Sequence, residues 1–329
     1  MTSPDSKPSR PSELYREFLA RLDRVAETEA TVLLLGESGS GKGFAAERIH
    51  GNSARRDEPL VAVNLAAISP SLIEAELFGH ERGAFTGADR ARKGFFRRAE
   101  GGTLILDEIA LLPLEAQVTL LRVLQERVVE PLGAEASIPV DVRIIATSAN
   151  DLEARVAEGQ VRSDLYYRLA VVPLEVPPLR AHLEDLPNLV LELSGSVAQR
   201  LGVEPRPLSS EALARLAEHP WPGNVRELEN AIERVTVLGA NGTGAPGTDP
   251  VLPEEFDFLD QATAGVAEEL ATRALAHGLD LESLEKAMIQ AALAEHRGNL
   301  SAAARQIGLT RRAFEYRLPR AEDSEPESS

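Results

Sequence analysis

Seven residues near the start of the chain carry the densest chemical signal. Gly36-Glu37-Ser38-Gly39-Ser40-Gly41-Lys42 sets two glycines with four residues between them directly before a lysine. That spacing suits a nucleoside triphosphate, with ATP the expected one. Glycines let backbone N–H groups turn inward around phosphates, the helix that follows aims its positive end at the same anion, and the lysine reaches the outer phosphates. A Gly-rich strand-to-helix turn could share the glycines, but such a turn has no need of Lys42. Gly43 stands where the general pattern has Ser or Thr to ligate Mg2+, so the metal must be held by water and other groups.

A second constellation follows at Leu104-Ile105-Leu106-Asp107-Glu108. On its own, an apolar strand ending in two acids means little. Downstream of a phosphate loop it suits metal binding by Asp107 and polarisation of the attacking water by Glu108.

These groups need elements to hold them. Strand-like and helix-like segments alternate: strand Thr31–Leu35, helix Lys42–His50, strand Leu60–Asn64, helix Pro70–Leu77 with Ser69 as cap, strand Thr103–Leu106, helix Pro113–Glu126 and strand Val142–Thr147. An earlier helix has its apolar period at Leu14, Phe18, Leu22 and Val25. Such alternation predicts an α/β fold, a parallel sheet wrapped by helices, with strands apolar on both faces. From about Leu179 the pattern turns helical, over Asp185–Arg200, Ser209–Ala217 and Asn224–Leu238. Gly239–Pro250 reads as a linker.

Composition bounds the rest. The chain has 329 residues, 43% of them apolar, and no cysteine, which excludes disulfides and thiolate metal sites. The six histidines are scattered, against a zinc site. No run of about 18 apolar residues and no secretory leader is present, so cytoplasm is the expected compartment, with no membrane partner. A net charge of −17 argues against a chain coated in nucleic acid. The balance is local, however. From Arg297 to Arg320 stand six arginines (297, 305, 311, 312, 317 and 320) and one acid, Glu315, a net +5. There GNLSAAARQIGLTRRAFEYRL (298–318) has helix-turn-helix spacing: small alanines at the crossing, Gly308 in the turn and a basic second helix. The alternative is a small helical packing domain, and the local charge favours DNA.

Taken together, GESGSGKG (36–43), ELFGHERGAFTGA (76–88), GGTLILDEI (101–109), RSDLYYRL (162–169), VPPLR (176–180) and WPGNVRELEN (221–230) resemble the AAA+ ATPases that activate sigma-54 RNA polymerase, the bacterial enhancer-binding proteins. The similarity runs from about Thr31 to Glu229 and again over the final unit, which resembles a Fis-type DNA-binding domain. The resemblance implies a disordered start (1–11), an AAA+ α/β subdomain (12–178), a helical lid (179–239), a linker (240–280), an all-α helix-turn-helix domain (281–320) and an acidic tail (321–329).

It also assigns roles. Gly36, Glu37, Ser38, Gly39, Ser40, Gly41, Lys42, Gly43 and Arg226 would bind ATP, and Asp107 would hold Mg2+. Asn64 would restrain Glu108 until nucleotide is sensed. Arg162 and Arg168 match arginine fingers that reach a neighbour's ATP, which requires a ring, typically a hexamer. Arg226 matches a sensor arginine of the lid; alternatively it pairs with Glu229 or Asn230. Gly83, Ala84, Phe85, Thr86, Gly87 and Ala88 match the hexapeptide that touches sigma-54, with glycines for a mobile hairpin tip and Phe85 as an exposed aromatic. Asn299, Thr310, Arg311, Arg312, Glu315 and Tyr316 would face the major groove, or flanking phosphates, of double-stranded enhancer DNA.

Two departures touch the hydrolysis rate. The family usually has Glu at Gly43, and a polar sensor where Ala149 falls in RIIATSAN (143–150). Asn150, one position late, or Ser148 could substitute. Fewer than about 15 residues precede the first helix, whereas relatives often carry a regulatory domain there. Control by a separate regulatory protein, a constitutive activator and a truncated chain all fit. The implied function is ATP-driven remodelling of the sigma-54 closed promoter complex. The rival is a DNA-binding regulator that uses ATP mainly to assemble; a protein-unfolding chaperone is disfavoured by the helix-turn-helix and GAFTGA.

Overall fold

The computed structural model describes residues 11–85, 87–149, 151–239, 249–296 and 298–318, without the side chains of 261–269 and 295. The chain forms two compact units that divide between Phe256 and Asp257.

The first unit contains strands β1 (Val32–Leu35), β2 (Leu60–Asn64), β3 (Gly79–His80), β4 (Arg92–Lys93), β5 (Thr103–Asp107), β6 (Val128–Val129), β7 (Ile138–Pro139), β8 (Arg143–Ser148) and β9 (Val172–Glu175). Five make one parallel sheet in the order β2-β5-β8-β1-β9. β3 pairs with β4, and β6 with β7, as short antiparallel ribbons. β9 escapes the sequence pattern. It is short, holds Pro173, and lies on the sheet edge, where a proline is tolerated. The expectation of strands apolar on both faces holds for β1, β5 and β8 but fails for the edges: Leu60, Ala62 and Asn64 of β2 are exposed.

Side chains alternate cleanly across the sheet. Leu33, Val63, Leu104, Leu106, Ile144 and Ala146 enter one core, with α3 (Ile73–Phe78), α4 (Phe95–Arg98), α5 (Leu114–Glu126), α6 (Leu152–Ala157) and α7 (Ser163–Leu169). Val32, Leu34, Ile105, Ile145 and Leu174 face the other, against α1 (Glu13–Ala26) and α2 (Lys42–Gly51). α1 buries Phe18, Leu22 and Ala26, while Leu14, expected on its apolar face, is exposed. Arg143 is buried under α1 and donates to the terminal carbonyls of Val25 and Ala26; its burial pushes the guanidinium pKa down. Before α3, Pro70–Leu72 forms a separate tight turn. The Ser69 side chain caps no helix there and lies against Ser71 Oγ instead.

The lid consists of α8 (Leu186–Leu201), α9 (Ser210–Glu218) and α10 (Asn224–Gly239). Val251 bridges to Leu208, Phe256 is buried, and Arg206 pairs with Glu255. Residues 251–256, expected in the linker, therefore pack with the lid: a buried aromatic and a paired carboxylate bind them there. The second unit holds α11 (Phe258–Ala276), also within the expected linker, then α12 (Leu281–Glu295), α13 (Leu300–Gln306) and α14 (Arg311–Arg317). Ile289, Ala292, Ala303, Ala304 and Phe314 form its core, the alanines permitting close crossing. Residues 1–10, most of the glycine-rich linker (240–248) and the acidic tail lie outside the described residues.

Candidate functional site

The sheet register brings the carboxyl ends of neighbouring strands level. Asn64 stands opposite Asp107, and Leu35 opposite Ser148. Ligands of open parallel sheets bind in the crevice beyond such ends. Here a cleft of about 510 Å³ opens, lined by Gly41, Lys42, Asn64, Asp107, Thr147 and Arg226 among others.

The loop after β1 frames one wall. Gly39 and Gly41 have φ of 76° and 97°, left-handed values that glycine adopts without strain. At Gly39 a Cβ would also sit 2.2 Å from the Gly223 carbonyl oxygen of the lid. Lys42 starts α2, is buried, and its Nζ donates to the carbonyls of Gly36 and Glu37 at 2.8 and 3.0 Å. Burial lowers its pKa, while the carboxylates of Glu108 and Asp107 act the other way. Gly43 opens onto free space: an added Cβ would meet nothing within 4 Å.

The opposite wall is the acid pair at the end of β5. Thr147 Oγ1 donates to Asp107 Oδ1 at 2.5 Å. Glu108 has φ 60° and ψ 50°, a conformation that costs an L-residue roughly 1–2 kcal/mol and that functional sites tend to retain. Its Oε2 accepts from the Ala149 N–H at 3.3 Å. The expected Asn64–Glu108 restraint is not made. Asn64 Oδ1 accepts from the Ala66 N–H at 2.9 Å and caps the turn after β2, which engages that oxygen locally. Asn150 lies outside the described residues, and Ser148, though buried, is not among the residues lining the cleft.

The lid closes the site through contacts that sequence reading missed. Asn224, fully buried with φ 53°, donates from Nδ2 to Glu37 Oε2 at 3.0 Å and to the Ser38 carbonyl at 3.1 Å. Its Oδ1 accepts from the Leu179 N–H at 2.9 Å. Arg180 grips the same Glu37 through two hydrogen bonds of 2.7 and 2.5 Å. These bonds, the Arg180 one foremost, hold the Glu37 carboxyl below its usual range. Arg226 lines the cleft and donates to Ser38 Oγ at 3.0 Å; no bond to Glu229 or Asn230 is seen, and Glu229 pairs with Arg200.

Arg162 and Arg168 are not brought to this cleft. Arg162 precedes α7, where the buried Gln117 accepts from its backbone N–H, and its guanidinium pairs with Asp164 at 2.8 Å. Arg168 donates to the Leu124 carbonyl at 3.0 Å. Both side chains are exposed.

The Gly83–Ala88 segment tips the β3–β4 ribbon. Gly83 and Gly87 take φ of 85° and 101°, and the Gly83 N–H donates to the Ala88 carbonyl at 2.8 Å. Ala88 is buried. Phe85 is less free than expected: it is 37% exposed, with its ring edge against His80, centroids 5.0 Å apart. Thr86 lies outside the described residues.

In the second unit, Asn299 and Thr310 cap α13 and α14 with their side chains. Arg311 pairs with Glu315 at 2.8 Å, and Arg312 and Tyr316 are exposed. Two of the expected DNA contacts are thus also helix caps.

Among the described residues no helix is long and apolar enough to cross a membrane, and no three His, Cys, Asp or Glu side chains group to enclose a metal. The hard carboxylate oxygens of Asp107 and Glu108 in this cleft are of the donor type that Mg2+ takes.

Comparison with known proteins agrees with this geometry. Residues 10–175 match the Sigma-54 interaction domain, 180–248 the AAA+ ATPase lid domain, and 280–320 the Bacterial regulatory protein, Fis family. The chain is 42% identical over 327 residues to the DNA-binding transcriptional regulator NtrC of Bradyrhizobium sp. (strain RP501 Parasponia), covering 93% of this chain and 68% of that protein. It is 44% identical over 308 residues to the Sigma54-dependent transcriptional activator SfnR of Pseudomonas putida, covering 92% and 84%. The crystal structure of NtrX from Brucella abortus in complex with ATP superposes with a TM-score of 0.68 at 35% identity, over 95% of this chain and 69% of that one. A phosphate loop, an acid pair and a lid arginine around one cleft, with a sigma-54 interaction domain and a Fis-type unit in the same chain, place it in one family: the chain belongs to the sigma-54-dependent transcriptional activators, AAA+ ATPases with a helix-turn-helix DNA-binding unit.

Proposed function

We propose that this chain works as a ring, a hexamer by family resemblance, whose ATP sites are each completed by a neighbouring subunit. The observation that carries this reading is the division of the charged groups. Lys42, Asp107, Glu108 and Arg226 line one cleft, whereas the exposed side chains of Arg162 and Arg168 lie outside it, available to the cleft of a second copy. A guanidinium supplied in trans stabilises charge that develops on the γ-phosphate.

Within the cleft, Lys42 holds the outer phosphates. Asp107 would hold Mg2+, which would supply charge neutralisation at the phosphates. Glu108 orients and polarises the attacking water, and its backbone conformation directs the carboxylate. Arg226 reports the nucleotide state to the lid through its place on α10. The Gly83–Ala88 tip then carries the change to sigma-54 in the closed promoter complex. Phe85 is its aromatic contact, packed against the His80 ring. The second unit tethers the ring to upstream double-stranded DNA through the exposed Arg311, Arg312 and Tyr316. The compartment is the cytoplasm, where the polymerase works.

Glu108→Gln tests the centre of this reading. The variant should bind ATP and assemble with wild-type affinity, yet release phosphate at least about a hundredfold more slowly. Near-normal turnover would refute the role of Glu108.

A further inference from the structure

The end of β8 touches both acids of the site, and the contact runs through a residue that neither the phosphate loop nor the acid pair explains. Thr147 is fully buried in the central strand and lines the cleft. Its hydroxyl donates to Asp107 Oδ1 at 2.5 Å and accepts from the Glu108 backbone N–H at 3.3 Å. One hydroxyl thereby joins both acids, donating to the carboxylate of one and accepting from the backbone N–H of the other. Two residues on, just past the end of β8, the Ala149 N–H donates to Glu108 Oε2. Ala149 has no polar side chain to add to that contact. Ser148 falls between the two and is not among the residues lining the cleft.

We propose that Thr147 is the positioning residue for ATP hydrolysis in this chain, supplying from two residues upstream the polar contact that Ala149 lacks. The hydroxyl occupies Oδ1 of Asp107 and so orients that carboxylate for the magnesium–triphosphate. Through the amide of Glu108 it also steadies the left-handed backbone that aims the second carboxylate. A bond from strand β8 to the amide at the end of β5 makes the two acids move as one group. The inference rests on the reading of Asp107 and Glu108 as the hydrolytic pair.

The plain alternative is a buried threonine that merely satisfies its own hydroxyl, and kinetics distinguish the two. Four variants of the full chain are compared: Thr147→Val, Thr147→Ala, Thr147→Ser and Glu108→Gln. Phosphate release is measured against ATP and Mg2+ concentration, and binding of a fluorescent ATP analogue is measured with and without Mg2+. Removing an outer partner of a metal-binding carboxylate typically costs 10–100-fold. Thr147→Val and Thr147→Ala should therefore lose about 10–100-fold in kcat and weaken the magnesium-dependent part of nucleotide binding. Binding without Mg2+ should stay within about twofold, and Thr147→Ser should restore kcat to within about threefold.

Unchanged kcat in the valine and alanine variants, with Glu108→Gln inactive, would overturn the role of Thr147 and leave the acid pair standing. So would a serine variant as slow as valine, since the hydroxyl would then not be the cause. Should valine unfold the chain, alanine against serine decides by the same criteria. Turnover retained by Glu108→Gln would instead overturn the acid pair, and the inference with it.

Discussion

Asn224→Ala should uncouple the lid from the phosphate loop, and its cost can be worked from two hydrogen bonds and one backbone conformation. The Leu179 N–H loses its acceptor inside the protein, about 1–3 kcal/mol for an orphaned buried donor. The bond to the Glu37 carboxylate is of the charged kind, about 1.5–3 kcal/mol, and the lower end applies because Arg180 still pairs with that carboxylate. Alanine at φ 53° adds about 1 kcal/mol, since asparagine visits the left-handed region far more readily. With imperfect additivity the total is about 3–5 kcal/mol, a large share of the 5–15 kcal/mol typical of a folded domain. Urea unfolding of the full chain measures it directly. Asn224→Gly relieves only the backbone part and should recover about 1 kcal/mol. Because Arg226 sits two residues further on the same turn, ATP affinity should fall about tenfold or more in both. A loss below about 1 kcal/mol with unchanged ATP affinity would refute the coupling.

Other expectations follow from the same geometry. Gly43→Ala has open space for its Cβ and should stabilise α2 by up to roughly 1 kcal/mol, read as a rise in Tm of about 2–4 °C; destabilisation would show that the position is constrained by more than helix propensity. Arg162→Ala should lose phosphate release while keeping ATP binding, and mixing it with Glu108→Gln should restore part of the activity if the arginine acts across subunits; no recovery in mixtures would place it in cis. Thr86→Ala should retain ATPase activity yet fail in open-complex formation, and retained activation would sink the assignment of the loop. Glu37 has a depressed carboxyl pKa, so its contribution to stability is present above the ordinary glutamate value of about 4.3 and is lost as pH falls through the lower folded value. Glu37→Gln should therefore flatten the acid limb of the stability profile, and an unchanged limb would show that the Arg180 pair contributes nothing there.

The chemistry legible in the chain was local chemistry. A phosphate loop must be contiguous, because successive amides wrap one anion, so Gly36–Lys42 could be read directly. Asp107 and Glu108 were legible because the apolar strand that delivers them is itself a pattern. β9 was not: a four-residue edge strand with a proline leaves almost no periodic signal, and only its pairing with β1 makes it a strand. Leu14 was misread for the converse reason, since apolar spacing marks a helix face but not whether another element covers its first turn.

By itself, then, the sequence determined that a triphosphate loop, an acid pair and a basic helix-turn-helix share one chain. The tertiary structure alone decided which residues connect them. Glu37 and Asn224 are 187 positions apart and read separately as a loop residue and a helix start; the folded lid makes them hydrogen-bond partners. Asn64, expected on Glu108, is used by its own turn instead. Thr147 emerged only when strand register showed which side of β8 faces the acids. The physical reason is common to all three. Backbone geometry and periodicity are properties of neighbouring residues, whereas a buried polar group takes whichever partner the packing of distant elements brings within reach.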